Sequence, residues 1–404
     1  MANFGKSLRE DFFLKDGYVP LNHGSYGSYP KQIRDKLHHY QMVAEQNPDR
    51  FYRREMFPLL DKNRKSVAKL LNCDADDLVF VTNATAGTNS VVRSLMTEEG
   101  AQLICFSTAY NAVERTLAYV EDKYKVKLIT VELNYPMSND AILAKLEATL
   151  QANPGPIKLA VMDAITSVPG VVFPYERVCA LLRERGILSL VDGAHAIGQI
   201  PVNLRETDPD FFVTNCHKWL FTPRGAAILY VRRDQQYTIH PALINASYKH
   251  HTKPNDTSST FQSEFSWPGT SDFSPYLCID DALSFRESLG GEQAIQDYCH
   301  RLAIEGGHAV AEILGTEVLE NEDKSLTACM SNVRLPFNPS SQVSESDMTN
   351  MIIDKLLYEE NCMAAPYYHH GQWFARLSAQ IYTGLDDFKY VGHALLKVCK
   401  SLEQ

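Results

Sequence analysis

Apolar residues in the middle of the chain follow two alternating rhythms. Short, nearly unbroken runs come first: "LVFVT", "AQLICFS", "KVKLITVEL", "IKLAVMDAI", "ILSLVDGA", "PDFFVTN" and "GAAILYV". Between them lie longer stretches in which apolar residues recur every three or four positions, such as "NATAGTNSVVRSLM", "TAYNAVERTLAYVEDK", "NDAILAKLEATLQAN" and "YERVCALLRERG". Val-, Ile-, Leu- and Phe-rich runs alternating with amphipathic helices predict an α/β fold with a mostly parallel sheet covered on both faces. The rhythm breaks at the polar stretch "YKHHTKPNDTSSTFQSE" (248–264), and a long helical stretch begins near "CIDDALSFRESL". The expected organisation is a large α/β domain over 21–275 and a smaller α+β domain over 276–404. An N-terminal segment, 1–20, is expected to pack with the smaller domain. No internal repeat or low-complexity tract interrupts this pattern.

Composition narrows the class of partner. The 404 residues suffice for about two to three domains. A formal charge of −10 supplies no basic field, so nucleic acid and acidic membranes are poor partners, while a small anionic substrate held by one buried arginine stays possible. Nine scattered cysteines, odd in number and without a C-x-x-C pair, suggest reduced thiols rather than a disulfide framework. The opening "MANFGKSLREDFFLKDG" has no apolar core of the kind a secretory signal needs, and no run approaches about 18 apolar residues. The expectation is a soluble cytoplasmic protein, with the nucleus left open as a second location.

Candidate chemistry collects where the predicted strands end, which is where open α/β sheets bind ligands. After "LVFVT" come Ala84, Thr85, Ala86, Gly87 and Thr88, small residues leading into a helix whose free N–H groups could take a phosphate. An ordinary helix cap would look the same, and the G-K-[ST] of a nucleotide-binding loop is missing. After "ILSLV" stands Asp192, which would be costly to bury unless paired with a cation or hydrogen-bonded as a cap. Thr166 and Ser167 follow "KLAVMDAI". His217 and Lys218 follow "FFVTN" and precede a second apolar run; alone, a lysine so placed reads as a loop residue.

Together these groups match the needs of pyridoxal 5′-phosphate. Its phosphate needs N–H and hydroxyl donors, its aldehyde needs a lysine, and its ring nitrogen needs a carboxylate to stay protonated. Lys218 must also serve as a free base. Lowering it from about 10.4 to about 7–8 takes roughly 4 kcal/mol of bias from burial and nearby cations. His217 fits a phosphate contact better than a general base.

At this point the chain resembles the class V aminotransferase family of fold-type I pyridoxal-phosphate enzymes. The resemblance rests on "TNATAGTN", "DAITSVPG", "VDGAHAIGQIP", "TNCHKWLFTPRGAAILYVR" and "WPGTSDFSPY", and it runs from "LNHGSYGSYP" to "RLSAQIYTGLDDF". It implies that Lys218 joins the cofactor and that Asp192 partners the ring nitrogen. His195 and Ser167 would lie near the ring's phenolic oxygen, and Thr85, the Ala86 N–H and His217 would hold the phosphate. Thr270 would reach the phosphate of a neighbouring subunit, since such enzymes are homodimers with shared sites. Arg376 would bind the substrate carboxylate as a bidentate fork, with Asn22 and His23 beside the substrate. Tyr110 stands where many relatives place a stacking histidine, and its hydroxyl could move a proton. No resident metal is implied; the adjacent pairs His250/His251 and His369/His370 are poorly spaced for one ion.

Within the family, "LNHGSYGSYP" and "DRFYRRE" are similar to the isopenicillin N epimerase-like branch, which includes cysteine desulfhydrases and the hercynylcysteine sulfoxide lyase of ergothioneine biosynthesis. Desulfurases of the class carry a persulfide cysteine near the carboxylate-binding arginine. Here Ala375 precedes Arg376, and Cys362 is the closest cysteine upstream. The expected reaction on an amino-acid substrate is therefore β-elimination at a carbon–sulfur bond of a cysteine S-conjugate or its sulfoxide, or of free cysteine. Lys218 would take the α-proton and Tyr110 would aid the departing sulfur. Epimerisation, with Tyr110 or His23 as the opposite acid, and transamination remain alternatives. Tyr26, Tyr29, Phe51, Tyr52, Tyr367, Tyr368 and Trp373 could cage a trimethylammonium group, or could belong to the core or to subunit contacts.

Overall fold

The computed structural model describes residues 4–248, 258–337 and 343–402, with the side chains of 258–260 left aside. Two short strands pair in parallel, β1 (Val19–Pro20) near the start and β10 (Cys362–Met363) near the end. A seven-stranded sheet is built from β2 (Leu78–Val81), β3 (Gln102–Phe106), β4 (Lys127–Val131), β5 (Ile157–Asp163), β6 (Leu188–Asp192), β7 (Phe211–Asn215) and β8 (Ala227–Val231). Its order is β2-β8-β7-β6-β5-β3-β4. Every strand runs parallel to the others except β8, which is antiparallel to both neighbours. A three-stranded antiparallel sheet, β11 (Ala365–His369), β12 (Gln372–Ser378) and β9 (Met330–Arg334), lies in the order β11-β12-β9. The mostly parallel sheet and the second, smaller sheet match the sequence expectation.

The apolar runs are unbroken because the large sheet is covered on both sides. Successive side chains along a strand point to opposite faces. Accordingly Ala160, Met162, Val191 and Phe212 bury into one cluster, while Leu159, Val161, Leu190 and Val213 bury into another. Asp163 and Asp192 each come one residue after Met162 and Val191. They therefore lie on the same face as Val161 and Leu190, the face that carries helix Ala84–Leu95.

A third cluster joins the two ends of the chain. Phe12, Val19 and Leu21 are buried with Met330, Ala375, Leu377 and Phe388, and with residues of the long helices Gly291–Leu314 and Leu385–Leu402. Pairing of β1 with β10 and the Leu21 carbonyl accepting from the Ser378 N–H bring the segment after Pro20 against β12. This places Asn22 beside Arg376 and His23 against the Lys218 carbonyl. Among the described residues no helix is long and apolar enough to cross a membrane.

Candidate active site

The carboxyl ends of the parallel strands converge as the sequence requires. β7 ends at Asn215, and a single helical turn, Cys216–Trp219, presents Lys218. The Asn215 side chain accepts from the Ala84 N–H at 2.9 Å, tying this turn to the start of helix Ala84–Leu95. The segment "HGSYG" crosses directly over the lysine turn. Gly27, at φ 66, is what allows that crossing: a Cβ there would stand 1.8 Å from the His217 carbonyl oxygen.

Lys218 Nζ lies 3.0 Å from His195 Nε2. Burial and the nearby Arg376 cation lower the Lys218 amine to about 8, against the opposing pull of Asp192 and Asp163. Asp192 is buried at the end of β6 and accepts from the Ala194 N–H at 2.9 Å. Burial raises its carboxyl, while that N–H and the Lys218 charge hold the rise in check. Sequence reasoning passed over Asp163, which is the register partner of Asp192 across β5 and β6. Asp163 has no hydrogen-bond partner among the described residues, and burial together with the Asp192 charge pushes its carboxyl well up. Of the two neighbouring carboxyls, Asp192 has a donor in the Ala194 N–H and a rise held in check, whereas Asp163 has none among the described residues and is pushed well up, so its proton is the more tightly held.

Arg376 sits on β12 with only 2 % of its surface exposed. Its Nη1 donates to the Ser167 carbonyl at 2.7 Å, and its Nη2 donates to Asn22 Oδ1 and Ser25 Oγ, both at 2.9 Å. All three acceptors are neutral, no carboxylate lies within ion-pair distance among the described residues, and the buried Nε has no partner. Burial lowers the guanidinium to about 10. A buried cation with neutral partners and an unused donor is poised for an anion. Gly170 makes room for its stem, since a Cβ there would be 2.7 Å from Arg376 Cδ. Asn332 on β9 holds that glycine from both sides: its Oδ1 accepts from the Gly170 N–H at 2.9 Å and its Nδ2 donates to the Gly170 carbonyl at 3.0 Å.

Several expected roles change. His23 was expected to bind substrate or act as an acid, but both of its ring nitrogens are engaged. Nε2 is 2.7 Å from the Lys218 carbonyl and Nδ1 is 2.7 Å from the Tyr382 hydroxyl. Burial lowers it to about 4, so His23 is a neutral brace beneath the lysine turn. Asn22 orients Arg376 instead of standing free for substrate. The Ala86 N–H, expected to bind phosphate, already donates to the Asn83 side chain at 2.8 Å, an ordinary helix cap. Thr85 keeps its N–H and hydroxyl without a partner among the described residues. His217 Nδ1 donates to the Ala226 carbonyl at 3.1 Å, and burial lowers the ring to about 4. Its Nε2 therefore presents a lone pair, and a phosphate dianion would have to bring a proton there to be bound.

The remaining sites are distributed. Ser167 contributes its carbonyl to Arg376, and its hydroxyl is free among the described residues. Tyr110 is 48 % exposed at the entry to helix Asn111–Tyr124, with no hydrogen bond to Lys218, Asp192 or His195. Thr270 is exposed and lines a separate cavity of about 550 Å³ with Tyr52, Arg53, Arg54 and Trp267. The aromatic residues form no single cage: Phe51, Tyr367 and Trp373 are buried in apolar clusters, whereas Tyr26 and Tyr29 line a cavity of about 670 Å³ that also holds Arg34 and Arg224. His250 and His251 lie outside the described residues. His369 Nε2 accepts from the Tyr135 N–H and His370 Nε2 donates to the Leu133 carbonyl, so both rings serve one loop.

The fold is shared with the apo cysteine desulfurase of Thermococcus onnurineus NA1, with a TM-score of 0.77 at 17% identity over 100% of both chains. The chain belongs to the class-V aminotransferase family, whose profile matches residues 28–353. It is similar to the L-cysteine desulfhydrase-like protein lolT1 of Epichloe uncinata, 32% identical over 99% of this chain and 96% of that one. It is also similar to hercynylcysteine sulfoxide lyase of Schizosaccharomyces pombe, 28% identical over 98% of each. Its cofactor is pyridoxal 5′-phosphate. The residues present fit that cofactor, with an uncharged amine within reach of neutral pH, a charged carboxylate on the same sheet edge, and an open N–H and hydroxyl at Thr85.

Proposed function

We propose that the protein is a carbon–sulfur β-lyase, acting on a cysteine S-conjugate or its sulfoxide, such as hercynylcysteine sulfoxide, and releasing thiol or sulfenate, pyruvate and ammonia. The observation that carries an amino-acid substrate is the bare guanidinium of Arg376, aimed by Asn22 and Ser25. It would bind the α-carboxylate as a fork and so fix the Cα–H relative to Lys218. Bound pyridoxal phosphate supplies an electron sink that makes the α-proton acidic. Lys218, with its amine lowered to about 8, takes that proton near neutral pH. The bond to sulfur then breaks with its electron pair leaving on sulfur, and addition of water to the three-carbon remnant yields pyruvate and ammonia. Tyr110 is the side chain proposed to protonate the departing sulfur.

Two features support elimination over its rivals. Cys73 is partly exposed and the other eight cysteines are buried, so no mobile thiol stands ready to carry a persulfide. Epimerisation needs an acid on the opposite side of Cα, and His23 is committed to Lys218 and Tyr382. Free cysteine is the second substrate we weigh, favoured by the likeness to the desulfhydrase-like protein of E. uncinata. We further propose a cytoplasmic homodimer in which Thr270 serves the partner's phosphate site.

The test is to incubate the holoenzyme with cysteine S-conjugates, their sulfoxides and free cysteine while following pyruvate and the sulfur product. Pyruvate from a conjugate or sulfoxide at a higher kcat/KM than from cysteine is expected. Racemised substrate without pyruvate, or a keto acid with conversion of the cofactor to its amine form, would overturn the reading.

A further inference from the structure

We propose that Trp219 is a positioning residue: its indole N–H fixes the tautomer of His195 and, through that ring, disfavours protonation of the Lys218 amine. The argument is a count of hydrogens. An indole nitrogen can only donate. Trp219 Nε1 donates to His195 Nδ1 at 3.3 Å, and both side chains are buried. Nδ1 therefore presents its lone pair. Burial, Lys218 and Arg376 hold His195 well below its ordinary range, so the ring is neutral and its one hydrogen sits on Nε2.

Nε2 is the atom 3.0 Å from Lys218 Nζ. With hydrogen on Nε2, this contact is a hydrogen bond only if the lysine amine supplies a lone pair. An ammonium there would face an N–H and find no acceptor on the imidazole. The opposite tautomer would invert the effect: Nε2 would accept from an ammonium, while Nδ1–H would clash with the indole N–H. The choice of tautomer thus sets whether His195 stabilises or opposes the lysine's charge. The charged groups that also face Lys218 are Asp192 at the end of β6, Asp163 at the end of β5 and Arg376 on β12. The Asp192 carboxylate favours the ammonium, Asp163 does so only in its ionised form, and the guanidinium disfavours it, so His195 adds to the side of Arg376.

Local chain geometry explains why this pairing is available. Trp219 follows Lys218 in a single turn. The lysine enters the crevice, and the indole is fixed below by the bond from Arg286 Nη1 to its own carbonyl at 2.8 Å. Its ring packs against His23, with centroids 5.3 Å apart.

This inference rests on Lys218 being the reactive amine and is independent of the substrate. It is tested on apoprotein carrying ¹⁵N-labelled histidine. Wild-type His195 should show an unprotonated Nδ1 and a protonated Nε2 at neutral pH. In Trp219→Phe that assignment should weaken or reverse, and the midpoint of the pH dependence of pyridoxal phosphate association should rise by about one pH unit, slowing association at neutral pH about tenfold. A protonated Nδ1 in the wild type would overturn the proposal, and that measurement stands even if the variant does not fold. A folded Trp219→Phe with an unchanged midpoint would overturn it too. A holoenzyme that releases no pyruvate, while the apoprotein shows the expected tautomer and midpoint shift, counts against the lyase reading and supports this one.

Discussion

Arg376 shows how much one side chain's surroundings can say. A guanidinium buried among neutral oxygens has given up its water without gaining an opposite charge, a state that an incoming anion would complete. Lysine at this position would keep the charge and lose the planar fork. Arg376→Lys is expected to raise KM for the amino-acid substrate about ten- to a hundredfold, the loss of one or two charge-assisted hydrogen bonds, with a smaller effect on kcat. Steady-state kinetics checks it, and a kcat loss at unchanged KM would argue for a different role. Lys218 carries the matching pH dependence. Its amine is lowered, so the free base proposed to react is present above about 8 and is lost as pH falls through that value. Cofactor association with the apoprotein should accelerate up to about pH 8 and then level off. An ordinary lysine would keep accelerating towards about 10.4. The roles proposed for Lys218, Asp192 and Arg376 were suggested by residue type and motif. The commitment of His23, His217 and the Ala86 N–H to other partners could not, because each partner is a backbone or side-chain atom placed by folding.

Among the elements, the decisive contact is between the small sheet and the loop that follows β5. Asn332 on β9 pairs with both polar groups of Gly170, and its Oδ1 also accepts from the Tyr367 hydroxyl at 2.9 Å. One amide thus secures the loop whose Ser167 carbonyl accepts from Arg376. Asn332→Ala would leave these buried groups unpaired and is expected to cost about 2–4 kcal/mol of stability. The measured consequence should be a lower denaturation midpoint together with a raised KM. Retention of both would show that the loop is held by other means. The strand-and-helix alternation was legible because its period is local. The antiparallel insertion of β8 between β2 and β7 was not, since a buried strand reads as the same apolar run in either direction. The motif glycines were visible as letters, but only the crossing over His217 and the Arg376 stem show why Gly27 and Gly170 must lack a Cβ.

Across the whole molecule, burial on both faces of the large sheet, in the third cluster and, for Cys278, against Ile33 and Ala282 accounts for the thiols. Cys73 is the partly exposed one, and burial beside Asp77 and Asp74 pushes it up to about 12. A thiol-specific reagent at neutral pH is therefore expected to modify fewer than one cysteine per native chain and all nine after denaturation. Rapid labelling of Cys362 in the folded protein would reopen the sulfur-carrier reading. The chain ends meet in one apolar cluster, which delivers Asn22 from the start of the sequence to Arg376 near its end.

Periodicity, strand-end chemistry and motif resemblance were enough to specify the α/β sheet and the cofactor, and to nominate the groups proposed to react. These follow from interactions between near neighbours and from the chemical demands of one cofactor. Proton placement was decided elsewhere: the donor above His195, the carboxyl beside Asp192 and the neutral cradle around Arg376 come from segments up to 354 residues apart. Such contacts depend on how whole elements pack, and no local pattern encodes which distant atom will complete a hydrogen bond.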